Sequence, residues 1–213
     1  MPRSVDSAYM IGGQRTLDAV SAACDPAPVD FFFYCRDRDG AGELRERLVK
    51  EHWAFMDRYA DGMIARGPTL TGDLEGATGS VHIVELAGAE AARVFAYEEP
   101  NYLAGVYRSV MVRRYVDLLG RTMWDFPGRG EPRERHLILA HAKPLADWPG
   151  TEPALDRDRL IAYGRLLSEN TEDWEGAAVI GQFDDPYAIR DVFAATGAYD
   201  RVEVHPWTFG GRR

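Results

Sequence analysis

The chain has 213 residues and a formal net charge of −9; 46% of it is hydrophobic, 11% aromatic and 28% charged. That balance suits a globular chain of one large or two small domains and excludes a disordered or fibrous class. Lys and Arg alternate with Asp and Glu, as in residues 36–51, so no clustered basic face is offered to nucleic acid or to an anionic membrane surface. No apolar run approaches the ~18 residues of a membrane span, and the N-terminus has no signal-peptide core. Cys24 and Cys35 are the only cysteines. They make no disulfide framework, and no Cys/His cluster has zinc spacing. A reducing cytoplasm is the expected compartment.

Residues 1–28 mix small, polar, Gly and Pro residues and read as a leader or arm, with a short helix over Thr16–Ala23. The aromatic run Val29–Arg36 predicts a buried strand. From Ala41 to Ala60 the period becomes helical: Leu44, Leu48, Phe55 and Tyr59 share one face, and pairs such as Glu46/Lys50 share the other. Met63–Pro68 is a second strand, residues 69–79 a glycine-rich loop and Ser80–Leu86 an alternating third strand. Gly88–Glu99 is a helix and Gly105–Tyr115 a fourth strand. The order β-α-β-β-α-β is that of the split βαβ, or ferredoxin-like, unit.

Residues 125–134 are dense in Pro, Gly and charge and read as a linker. After it the order returns. A strand is predicted over Arg135–Pro144, a helix over Glu152–Gly164, strands over Arg165–Asn170 and Gly176–Phe183, a helix over Pro186–Gly197 and a strand over Tyr199–Gly210. The segment Ala92–Ala96 recurs as Arg190–Ala194, which supports an internal repeat. The expected organisation is therefore a first unit over 29–124 and a second, degenerate unit over 135–213. The fold class is α+β: two tandem ferredoxin-like units packed sheet to sheet as an intrachain pseudo-dimer, closing into a sandwich or barrel. The chain is a monomer on that reading, or a homodimer.

The run "HWAFMDRYADGMIARGP", the loop after it and "GSVHIVELAGAEAARVFAYEEPNYLAGVYRSVMVRRY" resemble the YciI-like (YCII-related) family over about residues 29–115. The resemblance implies a ferredoxin-like fold of the dimeric α+β barrel type. It also implies cofactor-free chemistry of the kind seen in a dehydrochlorinase of chlorinated lactones. A working His–Asp pair is implied too, with His52 matching the family histidine and Asp73 the acid. The family's Asp-Pro-Tyr is here Glu99-Pro100-Asn101, followed by Tyr102.

His52 sits at the edge of the apolar stripe of its helix, where an imidazole serves proton transfer near neutrality or is a half-buried histidine bonded to a carbonyl. Asp73 is a supporting acid or merely a turn former, and Glu75 is its neighbouring alternative. Ser80 opens the third strand. Residues 98–102 lengthen the first half before its last strand, so Glu99, Asn101 and Tyr102 are expected in a pocket wall. His136, His141 and His205 read as structural, and the second half as a support whose tail closes the pocket. No nucleotide-binding loop, nucleophile elbow or metal-ligand triplet occurs, so no cofactor is called for. The leading expectation is a cofactor-independent lyase or isomerase acting on a small, largely apolar, oxygenated molecule. The alternatives are a non-catalytic binding module and a cofactor-free oxygenase or haem protein of the same barrel type.

Overall fold

A computed structural model describes residues 27–131 and 133–211; the helix expected at Thr16–Ala23 lies outside the described residues. Eight strands make one closed barrel in the order β1-β3-β2-β8-β5-β7-β6-β4. The first half supplies β1 (Val29–Asp37), β2 (Met63–Leu70), β3 (Ala77–Leu86) and β4 (Tyr107–Asp117). The second half supplies β5 (Arg135–Ala142), β6 (Leu160–Leu167), β7 (Trp174–Gly181) and β8 (Tyr199–Trp207). Within each half the fourth strand flanks the first, and the third separates the first from the second. The halves meet edge to edge, with β4 against β6 and β2 against β8.

Alternation along the strands sorts side chains into layers. Phe32, Tyr34, Val81, Ile83 and Tyr115 meet Leu137, Leu139, Ile161, Ile180 and Trp207 in one core drawn from both halves. The opposite faces of β1 and β3 carry Phe31, Phe33, Val84 and Leu86, which pack on helix residues Phe55, Met56, Ala92 and Phe95. The other half buries Ile138, Ala177 and Val179 against Phe193, on helix α5 (Pro186–Ala195). The expected linker is not a free tether. Beside it a 3-10 turn at Met123–Asp125 puts Met123 into the barrel core, and Phe126 follows it there.

The helix expected over residues 41–60 is two, α1 (Gly42–Arg47) and α2 (Val49–Asp57), broken at Leu48. The next helix is α3 (Ala89–Tyr97), followed by a separate turn of helix, α4 (Pro100–Leu103). The helix expected over Glu152–Gly164 is absent. Its charged start is a 3-10 turn at Arg157–Arg159, and Leu160–Leu167 is strand β6, fully buried at Leu160, Ile161 and Ala162. Local period yields here to tertiary pairing: a short apolar run flanked by strands on both sides is more stable in the sheet than as a helix ending at Gly164. The second half is thus β-β-β-α-β rather than a full ferredoxin-like unit.

Two outcomes follow. A Cβ on Gly164 would enter the ring of Tyr115 and come within 2.7 Å of the Val116 carbonyl. Gly164→Ala should therefore cost about 1–3 kcal/mol by overpacking, seen as a midpoint lowered by several degrees in a thermal melt. Asp30 pairs across the ladder with Glu85; burial, then Glu85 and Asp117, raise its pKa from 3.8 to about 6. A carboxyl raised in the folded state favours folding when protonated, a contribution lost as pH climbs through the folded value. Asp30→Asn should melt above wild type at pH 7, and the gap should close below about pH 4.

Candidate active site

Helix α2 places Val49, His52, Trp53 and Met56 at i, i+3, i+4 and i+7, so all four share one face. That face is one wall of a cavity of about 430 Å³. The floor is the outer face of β2 and β3, with Arg66, Pro68, Ser80 and His82. Asn101 of α4 closes one side. Phe209, Gly210 and Gly211, which follow β8, complete the lining, so the second half does contribute to the pocket. The site lies between the helix layer and the barrel wall, outside the packed barrel interior.

The tail reaches this position by extending the edge of β2. Thr208 N–H donates to the Pro68 carbonyl at 3.2 Å and Gly210 N–H to the Arg66 carbonyl at 3.0 Å. A Cβ on Gly67 would stand 2.8 Å from the Trp207 ring, so only glycine admits this approach.

His52 is mostly buried, its side chain 14% exposed, and its Nδ1 lies 2.5 Å from Oε1 of Glu99. Glu99 is 3% exposed. It caps α4, accepting the Tyr102 N–H on Oε2 at 3.0 Å. One carboxylate thus orders a turn of helix and holds an imidazole. An ionised Glu99 accepts from Nδ1–H, which leaves the Nε2 lone pair as the base. Asn101 Nδ2 is 3.2 Å from the same Nδ1 and 3.3 Å from the Tyr107 hydroxyl. Ser80 Oγ takes a 2.5 Å hydrogen bond from Arg45, whose other arm is paired with Asp37 at 3.0 Å.

His52, Ser80, Glu99 and Asn101 are brought together as the sequence suggests. Asp73 and Tyr102 are not. Asp73 is exposed in the β2–β3 turn, where its carboxylate accepts from the Thr71 hydroxyl and from Glu75 N–H. Those bonds hold its pKa below the ordinary carboxylate value, the chemistry of a turn former. Neither Asp73 nor Glu75 lines the cavity. Glu99, expected only as a wall residue, occupies the place beside His52. Tyr102 points away to meet Tyr97 edge to face, ring centroids 5.0 Å apart.

Sequence reasoning passed over Arg45, Arg66 and His82. The signal for His82 was its parity: Ser80, His82 and Val84 alternate onto the helix-covered face. Its ring is 5.9 Å from that of His52 and 5.5 Å from Phe95. Burial, then His52, Arg66 and Arg45, push its pKa well below the usual imidazole value, so it is neutral at pH 7.

Residues 29–116 match the YCII-related domain. That match spans less than half of the chain and lies wholly in its first half. No curated protein sequence matches the chain. Over 40% of its length it is similar to the 5-chloro-2-hydroxyhydroquinone dehydrochlorinase of Burkholderia phenoliruptrix, solved with 2,5-dihydroxybenzoquinone. That likeness covers 91% of the other chain at 27% identity and a TM-score of 0.38. Over 84% of its length the chain is similar to chlorite dismutase from Candidatus Nitrospira defluvii, solved with imidazole, at 10% identity and a TM-score of 0.50, covering 91% of that chain. The second likeness is one of fold, that of dimeric α+β barrel proteins. No helix among the described residues is long and apolar enough to cross a membrane.

The geometry of the first half predicts a single tautomer. Nitrogen NMR of the His52 ring should show the proton on Nδ1 in wild type and in Asp73→Asn, and Glu99→Leu should lose that preference. An Asp73→Asn protein with altered His52 resonances would restore the aspartate as its partner.

Proposed function

We propose that this protein is a cofactor-independent lyase or isomerase that moves a proton on a small, oxygen-bearing organic molecule. The observation that carries this reading is the 2.5 Å contact between His52 Nδ1 and Glu99 at the wall of the cavity. A carboxylate that fixes the imidazole's tautomer and orientation is the arrangement by which histidine serves as general base and then general acid. The cavity volume lies within the roughly 300–1,000 Å³ of small-molecule sites. Its walls are mixed: Val49, Trp53, Met56, Pro68 and Phe209 are apolar, while Ser80 and Asn101 offer hydrogen bonds to the substrate's oxygens.

The cycle needs only these groups. Nε2 of His52 takes a proton from a carbon activated by a neighbouring oxygen function. It then returns that proton to another atom of the substrate, or releases it to water as a leaving group departs. Glu99 keeps its proton-acceptor role toward Nδ1 throughout, while Asn101 Nδ2 beside the pair donates to the Tyr107 hydroxyl.

The test is proton exchange in D2O with a panel of hydroxyquinones, chlorinated hydroxyquinols and lactones, read by NMR and by chloride release. Wild type should catalyse exchange or elimination on a member of the panel, and His52→Gln should reduce the rate by about 10²–10⁴-fold. Full turnover by His52→Gln would overturn the assignment. Binding of a panel member without any exchange, unchanged in His52→Gln, would make the protein a binding module instead.

A further inference from the structure

Two buried polar atoms at this site have no protein partner: Nδ1 of His82 and Oδ1 of Asn101. Both residues line the cavity, and they are 3% and 1% exposed. Buried polar groups are almost always satisfied, because leaving one unpaired forfeits the hydrogen bonds it had in water. His82 is the more telling of the two. Its neighbours on the same face of β3 are Ser80, bonded to Arg45, and Val84, packed under the helices. An aliphatic residue would fill its place against Phe95 without an orphaned nitrogen.

We propose that His82 is a second substrate-contacting histidine, hydrogen-bonding the oxygen of an enolisable carbonyl or hydroxyquinone whose neighbouring carbon His52 deprotonates. The proposal rests on the reading of His52 as the proton-transfer group and adds the substrate class to it. His52 and His82 flank one corner of the cavity with ring centroids 5.9 Å apart. The two rings are neighbours, so one substrate entering from the cavity can set a C–H against the first and an adjacent oxygen against the second.

The step balances within the substrate and the two imidazoles. Nε2 of His52 accepts the proton, and the C–H electron pair becomes the carbon–carbon double bond of an enolate. The carbonyl π pair moves onto oxygen, where an N–H of His82 donates to it. Return of the proton from His52 to a different carbon completes an isomerisation. Expulsion of an anion from the adjacent carbon completes an elimination, and the His52 proton passes to water. A neutral imidazole suits the oxygen-facing role, because it donates a hydrogen bond without trapping the enolate as a tight ion pair. Oδ1 of Asn101, the other orphaned atom, is an acceptor and suits a substrate hydroxyl beside His52. The substrate class is therefore a molecule with a carbonyl oxygen for His82 and a hydroxyl for Asn101.

The experiment titrates 2,5-dihydroxybenzoquinone, which carries two hydroxyl and two carbonyl oxygens, into wild type, His82→Phe, His82→Gln and His52→Gln, each with a thermal melt. Wild type should bind, and His82→Phe should lose about tenfold or more in affinity, the weight of one hydrogen bond to a charged or polarised oxygen. His82→Phe should melt no lower than wild type, since no protein hydrogen bond is removed. His82→Gln, which keeps a donor, should bind better than His82→Phe, and His52→Gln should keep most of the affinity. Binding by His82→Phe equal to wild type would overturn the contact. So would a midpoint that falls in His82→Phe and recovers in His82→Gln with no difference in affinity between them. A wild type that does not bind the probe would overturn the substrate class. Exchange activity surviving in His52→Gln would strike the function proposed above, while the His82 titration would still decide the oxygen contact.

Discussion

Closure of the barrel across two seams is the constraint on which this structure depends. A half with four strands has two open edges and an apolar face, and it satisfies neither alone. In this chain β4 pairs with β6 over Arg114–Asp117, and β2 takes β8 and the tail beyond it. The second seam has a functional consequence. The tail that satisfies the edge of β2 continues over the first half and supplies Phe209–Gly211 to its cavity. The same hydrogen bonds that close the cylinder thus finish the pocket, and both require glycine at position 67.

A charged contact reinforces the union at one end of the barrel. Arg36 of the first half reaches both oxygens of Glu203 in the second, at 2.9 and 2.8 Å. His141, His205 and Arg201 share the same carboxylate. Burial alone would raise the pKa of Glu203, but hydrogen bonds from His141, His205 and Arg36 outweigh it and hold the group ionised far below the ordinary range. These histidines belong to the frame, as their pattern in the sequence suggested. Glu99 shows the other use of a buried carboxylate. Its partners are a backbone N–H and one imidazole, so its charge is spent on orienting a group that faces the cavity rather than on joining the halves.

The two halves differ in what they carry. Both order their strands alike around the barrel, but where the first has α1 and α2 the second has a 3-10 turn leading into β6. With no counterpart of α2 there is no face on which to mount a histidine above its sheet. The asymmetry of the site follows from the presence of α2 in one half alone, not from a difference at one residue.

The alternation of Phe32 and Tyr34 with Phe31 and Phe33, the helical face that carries His52 and the strand beginning near Ser80 are local patterns, so they were legible in the amino-acid sequence. The common strand order of the two halves was legible in the succession of elements, and Ala92–Ala96 and Arg190–Ala194 fall on α3 and α5. Four of the six expected site residues meet for the same reason: each lies on an element whose position in the unit is set by topology. Asp73 misled because an aspartate in a glycine-rich turn looks the same whether it serves the turn or a neighbour. Tyr102 misled because side-chain direction on a single turn of helix depends on the cap that Glu99 supplies. Residues 152–164 misled because charge spacing imitates a helix where the apolar run is claimed by two neighbouring strands. The sequence by itself determined which segments alternate, which turn and which half bears the histidine, because those depend on near neighbours. Only the tertiary structure decided that Glu99 and not Asp73 holds His52, that His82 lies beneath it and that the tail closes the cavity. Those contacts join residues dozens of positions apart, and the register of paired strands alone brings them within hydrogen-bonding reach.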